Sequence, residues 1–118
     1  MRSNFRNMAC ALALMLHGAN SFALTMGDVA SVCRSYDGDC SEIPFLQAYV
    51  GGALDFVAML DEETTYLEPI YCIAPSELFD APTIIRYMLA NRKGYDDKNA
   101  MLLVIRFLEE KGGCSPNG

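Results

Sequence analysis

The chain has 118 residues, with nine basic and fifteen acidic side chains, a net charge of −6 and one histidine. Nucleic-acid backbones and anionic membrane surfaces draw proteins through Lys and Arg, so a chain of this balance is not expected to bind either. The length fits one domain and no more.

Arg2 and Arg6 precede an apolar run from Met8 to Leu16, which is followed by Ser21-Phe22-Ala23. This is the build of a secretory signal peptide cleaved after Ala23. The run is too short to cross a hydrocarbon core of about 30 Å, and no later stretch reaches the roughly 20 apolar residues of a spanning helix. Cys10 comes before the apolar run rather than after it, so a lipoprotein acylation signal is missing. The expected organisation is a signal peptide over 1–23 and a single domain over 24–118, exported to the periplasm. Without Arg2 and Arg6, seven basic side chains stand against fifteen acidic ones. That surface favours basic partners, or serves solubility alone.

A domain of about 95 residues has a limited core and usually needs reinforcement. Cys33, Cys40, Cys72 and Cys114 remain once Cys10 leaves with the signal, an even set in a chain bound for an oxidising compartment. Two disulfides follow, in one of three pairings. Cys33 with Cys40 and Cys72 with Cys114 is favoured, because each pair flanks a helical hairpin or a turn.

In chain order, Thr25 caps a first helix through Met26, Val29, Val32 and Cys33 that ends near Tyr36, where Asp37-Gly38-Asp39 turns the chain. The other ligands of a calcium loop are absent around these aspartates. Ser41 is expected to cap a second, central helix with Glu42 and Pro44 in its first turn. Its broad apolar face comprises Phe45, Leu46, Tyr49, Val50, Ala53, Leu54, Phe56, Val57 and Leu60. Gly51 and Gly52 lie in its middle, each costing about 1 kcal/mol relative to Ala. Close approach of a neighbouring helix is the favoured explanation, ahead of a kink. From Asp61 to Tyr71 the periodicity fails, and Asp61-Glu62-Glu63-Thr64-Thr65-Tyr66 reads as an exposed acidic loop. Cys72-Ile73-Ala74-Pro75 returns the chain to the core, and Ser76-Glu77-Leu78-Phe79 forms a single turn. Asp80 caps a third helix with Pro82 in its first turn and Ile84, Ile85, Tyr87, Met88 and Leu89 along it. After Arg92-Lys93-Gly94-Tyr95, Asp96 is expected to cap a fourth helix that buries Ala100, Leu103, Val104, Phe107 and Leu108. Gly112 and Gly113 end it. The fold class is all-α, a small helical bundle of four main helices plus a short helical turn, stapled by two disulfides.

The sole histidine, His17, belongs to the signal segment. Without it, no Ser-His-Asp or Cys-His pair forms, and zinc has neither imidazoles nor free thiolates. Asp55 with Asp61 or Glu62 is the pair a glycosidase reading would nominate, but the chain offers little room for a sugar cleft. No catalytic, metal or cofactor site is expected, and the chain is not read as an enzyme. Tyr66 beside Glu62, Glu63 and Glu68, and Tyr95 beside Asp96 and Asp97, combine tyrosine with carboxylates in predicted loops, a composition suited to protein recognition. Ordinary solvated loops have the same composition.

The succession of signal peptide, Cys33, Tyr49-Val50-Gly51-Gly52 with Asp55, Cys72-Ile73-Ala74-Pro75, two further helices and a closing Cys114 resembles the periplasmic immunity proteins of type VI secretion amidase effectors (Tai-type). The resemblance spans nearly the whole exported chain. Two departures mark it: Arg92-Lys93-Gly94-Tyr95 stands where members carry a proline, and Gly112-Gly113-Cys114 replaces a Phe-Pro-Cys ending. The resemblance implies a homodimer that neutralises a peptidoglycan-cleaving amidase by occluding its cleft. The candidate contact residues are Asp61, Glu62, Glu63, Tyr66 and Glu68 on one loop, and Tyr95, Asp96 and Asp97 on another. The main rival is an acid-activated periplasmic chaperone, in which protonated carboxylates release an apolar face.

Overall fold

A computed structural model describes residues 23–65 and 67–114; residues 1–22 of the expected signal peptide and Tyr66 lie outside the described residues. Among the described residues, five α-helices and one 3-10 turn follow in order: α1 (Met26–Ser35), the turn (Cys40–Glu42), α2 (Pro44–Glu63), α3 (Pro75–Leu78), α4 (Ala81–Ala90) and α5 (Met101–Lys111). No strand forms among the described residues, and one isolated antiparallel bridge joins Thr25 to Asn99. The all-α class is as expected. The disulfides pair Cys33 with Cys40 and Cys72 with Cys114, with Cα atoms 5.1 and 5.0 Å apart.

Several helix ends follow from local chemistry. Thr25 and Asp28 form a capping box on α1: Thr25 Oγ1 accepts from the Asp28 N–H at 3.1 Å, and the Asp28 carboxylate accepts from the Thr25 N–H at 2.9 Å. Asp80 caps α4 by accepting from the Thr83 N–H at 2.9 Å, with Pro82 inside the first turn. Gly94 (φ 82°) turns the chain after α4. Past α5, Gly112 meets the chain at a point where a Cβ would lie 2.8 Å from the Tyr71 Cα, so only glycine fits there. Its carbonyl accepts from the Cys72 and Ile73 N–H groups at 2.7 and 3.0 Å, docking the second disulfide onto the end of α5.

The core is one cluster. Met26, Leu46, Val50, Ile84, Ile85, Met88, Leu103, Val104 and Leu108 are buried in it almost completely. The ring of Tyr87 meets Phe107 edge to face at 5.2 Å, and Tyr71 meets Phe79 in the same way at the same distance. The hub is α4 rather than α2, because α4 packs against α1, α2, the 3-10 turn and α5.

Five expectations need correction. Ser41 does not cap α2. It is fully buried inside the 3-10 turn, where its N–H and hydroxyl both donate to Asp39 Oδ1 (2.9 and 2.7 Å), and α2 starts at Pro44 behind Ile43 with no side-chain cap. Asp39 comes first in the chain and takes the capping role, leaving Ser41 as its donor. Asp61, Glu62 and Glu63 are not loop residues, since α2 continues through them. Asp96 does not cap the last helix; α5 begins at Met101, whose N–H donates to Asn99 Oδ1 at 2.9 Å. The main chain around Asp96 instead serves α1: the Asp96 and Lys98 carbonyls accept from the Gly27 and Met26 N–H groups at 2.9 and 3.0 Å. The broad apolar face of α2 is narrower than expected, because Phe45 and Phe56 are exposed while Leu46, Val50, Ala53, Leu54 and Val57 are buried. Finally, no neighbouring helix explains Gly51 and Gly52, since a Cβ at either would meet nothing within 4 Å.

Candidate functional site

The acidic end of α2 is built against the usual electrostatics of a helix. The C-terminus carries a partial negative charge from the aligned peptide dipoles, which favours cations in the last turn. Here the last turn holds Asp61, Glu62 and Glu63 and no basic residue. Among the described residues, none of these three nor Glu68 forms an ion pair. Each carboxylate in such a place disfavours the helix by about 0.3–1 kcal/mol.

The segment that follows is anchored at both ends. Thr64 closes α2 by donating its N–H and hydroxyl to the Leu60 carbonyl. Eight residues later Cys72 is held by its disulfide and by Gly112. Between these anchors Glu68 and Leu67 are exposed. Val57, Leu60, Asp61, Thr64, Leu67, Glu68, Ile70 and Tyr71 line a shallow cavity of about 40 Å³ under the segment. That is room for a water or two and far short of the several hundred Å³ of a small-molecule site. Burial raises the Tyr71 hydroxyl above its ordinary pKa, and the negative charges of Asp61 and Glu62 push in the same direction. The phenol therefore stays protonated beneath the carboxylates.

The second candidate group is occupied internally. Tyr95 is half buried, its hydroxyl accepts from an Arg106 guanidinium nitrogen at 3.2 Å, and that guanidinium stands 6.0 Å from the ring centre. Arg106 also pairs with Glu110 at 2.8 Å. Asp96 pairs with Arg92 at 3.5 Å, whereas Asp97 is exposed and forms no ion pair among the described residues. The two candidate segments are not brought together. Asn99, next to the second, lies at the level of Tyr49, whose hydroxyl is 3.5 Å from Asn99 Oδ1. Tyr49 is twelve residues from Asp61 along α2, about 18 Å of helix at 1.5 Å per residue.

Among the described residues, no three His, Cys, Asp or Glu side chains are grouped to hold a metal ion, and no helix is long and apolar enough to cross a membrane. Asp55 is exposed on α2 six and seven residues before Asp61 and Glu62, about two helical turns, without a cleft between them. Sequence reasoning did not find the exposed row of Phe45, Phe56 and Met59 on α2. Their spacing of eleven and three residues, which returns to one side of a helix, is the available signal, hidden because another side of the helix is apolar too. No protein-family model matches the chain, and no characterised protein or solved structure matches it.

Proposed function

We propose that the protein is a periplasmic immunity protein that binds and inhibits a peptidoglycan amidase delivered by type VI secretion, with the acidic segment Asp61–Glu68 covering the enzyme's cleft. The observation that carries this reading is the set of carboxylates of Asp61, Glu62 and Glu63 at the end of α2 and Glu68 in the segment after it, without ion pairs among the described residues and held between the Thr64 cap and the Cys72 disulfide. Local electrostatic rules are broken where a partner is meant to compensate. A basic or polar cleft lining would supply the missing cations, and a segment already held in place loses little conformational freedom on binding. The sequence motifs around Gly51-Gly52, Cys72 and Cys114 support the same reading through their resemblance to the amidase immunity proteins.

The internal pairing of Tyr95 and Asp96 favours the first segment over the second. E62K/E63K is expected to slow association with the amidase tenfold or more, on the order of the electrostatic contribution to on-rates. D96K/D97K is expected to leave the rate within about twofold. Surface plasmon resonance at two salt concentrations reads both. Normal association by both doubles would remove the acidic-segment mechanism.

A further inference from the structure

Tyr71 precedes the second disulfide, and its main chain lies against Gly112 at the end of α5. Its side chain is only 7% exposed, with the ring edge-on to Phe79. Among the described residues no hydrogen bond reaches its hydroxyl. Phenylalanine would pack there in the same way and spare the chain the desolvation of an unpaired hydroxyl. The side-chain polar atom sealed from solvent without a partner is the hydroxyl of Tyr87, not that of Tyr71. The Tyr71 hydroxyl therefore keeps an opening, and the cavity under the acidic segment supplies it: Tyr71 and Asp61 both line that cavity, and the charge of Asp61 acts on the phenol.

We infer that this cavity receives the side chain of a lysine projecting from a partner protein, with its methylenes on Leu60 and Ile70 and its ammonium among Asp61, Glu68 and the Tyr71 hydroxyl. That the lysine belongs to the amidase rests on the proposed function; the cavity's preference for a lysine does not.

Shape and chemistry select this occupant. An opening of about 40 Å³ excludes a whole small molecule but admits the end of one side chain. Val57, Leu60 and Ile70 make the lining largely apolar, while Asp61 and Glu68 are exposed at it. A long aliphatic stem with a charged tip suits such a place, because the stem covers apolar surface while the tip stays near water. Neither carboxylate has an ion pair among the described residues. The compact lysine head carries three N–H donors, one for each carboxylate and one for the phenol oxygen, whereas the arginine head is a wider planar fork. Glu62 and Glu63 do not line the cavity, so they attract a cation only at longer range, where salt screens them.

Titrating the oxidised, isotope-labelled protein with Nα-acetyl-lysine amide at neutral pH and about 0.15 M salt, followed by amide NMR, tests the site without any amidase. Shifts at Leu60, Ile70 and Tyr71 should saturate with a Kd on the order of 10 mM, as suits a ligand held by a few atoms. Nα-acetyl-norleucine amide, which keeps the stem and lacks the ammonium, should bind roughly tenfold more weakly. Y71F should weaken lysine binding about threefold or more without lowering the melting temperature, because the hydroxyl it removes has no partner in the chain. D61N/E68Q should weaken it about tenfold, and E62Q/E63Q, the same change of charge outside the cavity, by less than about twofold. Absence of saturable shifts, equal binding of the norleucine probe, tighter binding of Nα-acetyl-arginine amide, an unaffected Y71F, or equal losses in the two double variants would overturn the proposal. Lysine binding without amidase association would end the immunity reading and keep the cavity's role; amidase association without lysine binding would end the cavity's role alone.

Discussion

At the residue scale, Gly112 shows how one position joins local geometry to the site. Its missing side chain lets Tyr71 and Cys72 lie against the end of α5, and that contact fixes where the acidic segment re-enters the core. G112A must push a Cβ into the Tyr71 backbone, which cannot swing aside as a flexible side chain would. A loss of more than about 2 kcal/mol is expected in urea unfolding, whereas a value near zero would show that the chain relaxes there freely. The sequence identified Gly112 as a helix terminator without revealing this closer role, because the neighbour lies 41 residues away in the chain. Ser41 was misread for a related reason. Serine and aspartate are nearly equal as caps, and only the folded turn shows that Asp39 has taken Ser41 as a donor.

At the scale of elements, the helices begin as the sequence predicts wherever a cap acts on its own immediate neighbours. Thr25 and Asp80 are in this class. Asp96 is not, because the α1 amides claim the main chain beside it and the start of α5 passes to Asn99. The width of the α2 face was also illegible, since periodicity identifies apolar sides but not which of two becomes buried. The caps predict an acid response. Hydrogen bonds from Thr25, Ser41 and Thr83 hold Asp28, Asp39 and Asp80 below the ordinary carboxylate range. A depressed folded-state pKa contributes stability that is present above the unfolded value and lost as pH falls through the folded one. Circular dichroism should therefore keep its native helical signal through pH 4, near where free carboxylates titrate, and lose it only in stronger acid. Helix loss already at pH 5 would contradict this. Binding of unfolded substrates at the acid end would instead favour a chaperone.

For the whole molecule, the two disulfides divide the work unequally. Cys72–Cys114 closes a separation of 42 residues and Cys33–Cys40 one of seven. Chain entropy assigns about 4 kcal/mol to the first and about 2.5 kcal/mol to the second. C72S/C114S should lower the melting temperature more than C33S/C40S and also free the acidic segment, reducing affinity for the amidase. Equal losses would mean that loop size does not govern their contributions. The all-α class and four-cysteine framework were readable because they rest on composition and local periodicity. The isolation of the acidic end of α2 was only half readable: the charges stand in the sequence, but the absence of cations opposite them among the described residues is a property of the fold.

The most direct measurement is survival of a heterologous bacterium that exports to its periplasm both this protein and the type VI amidase proposed as its target. Rescue is the expected result, strong with wild type and reduced with E62K/E63K. Lysis in the presence of folded, oxidised wild-type protein would contradict the immunity reading.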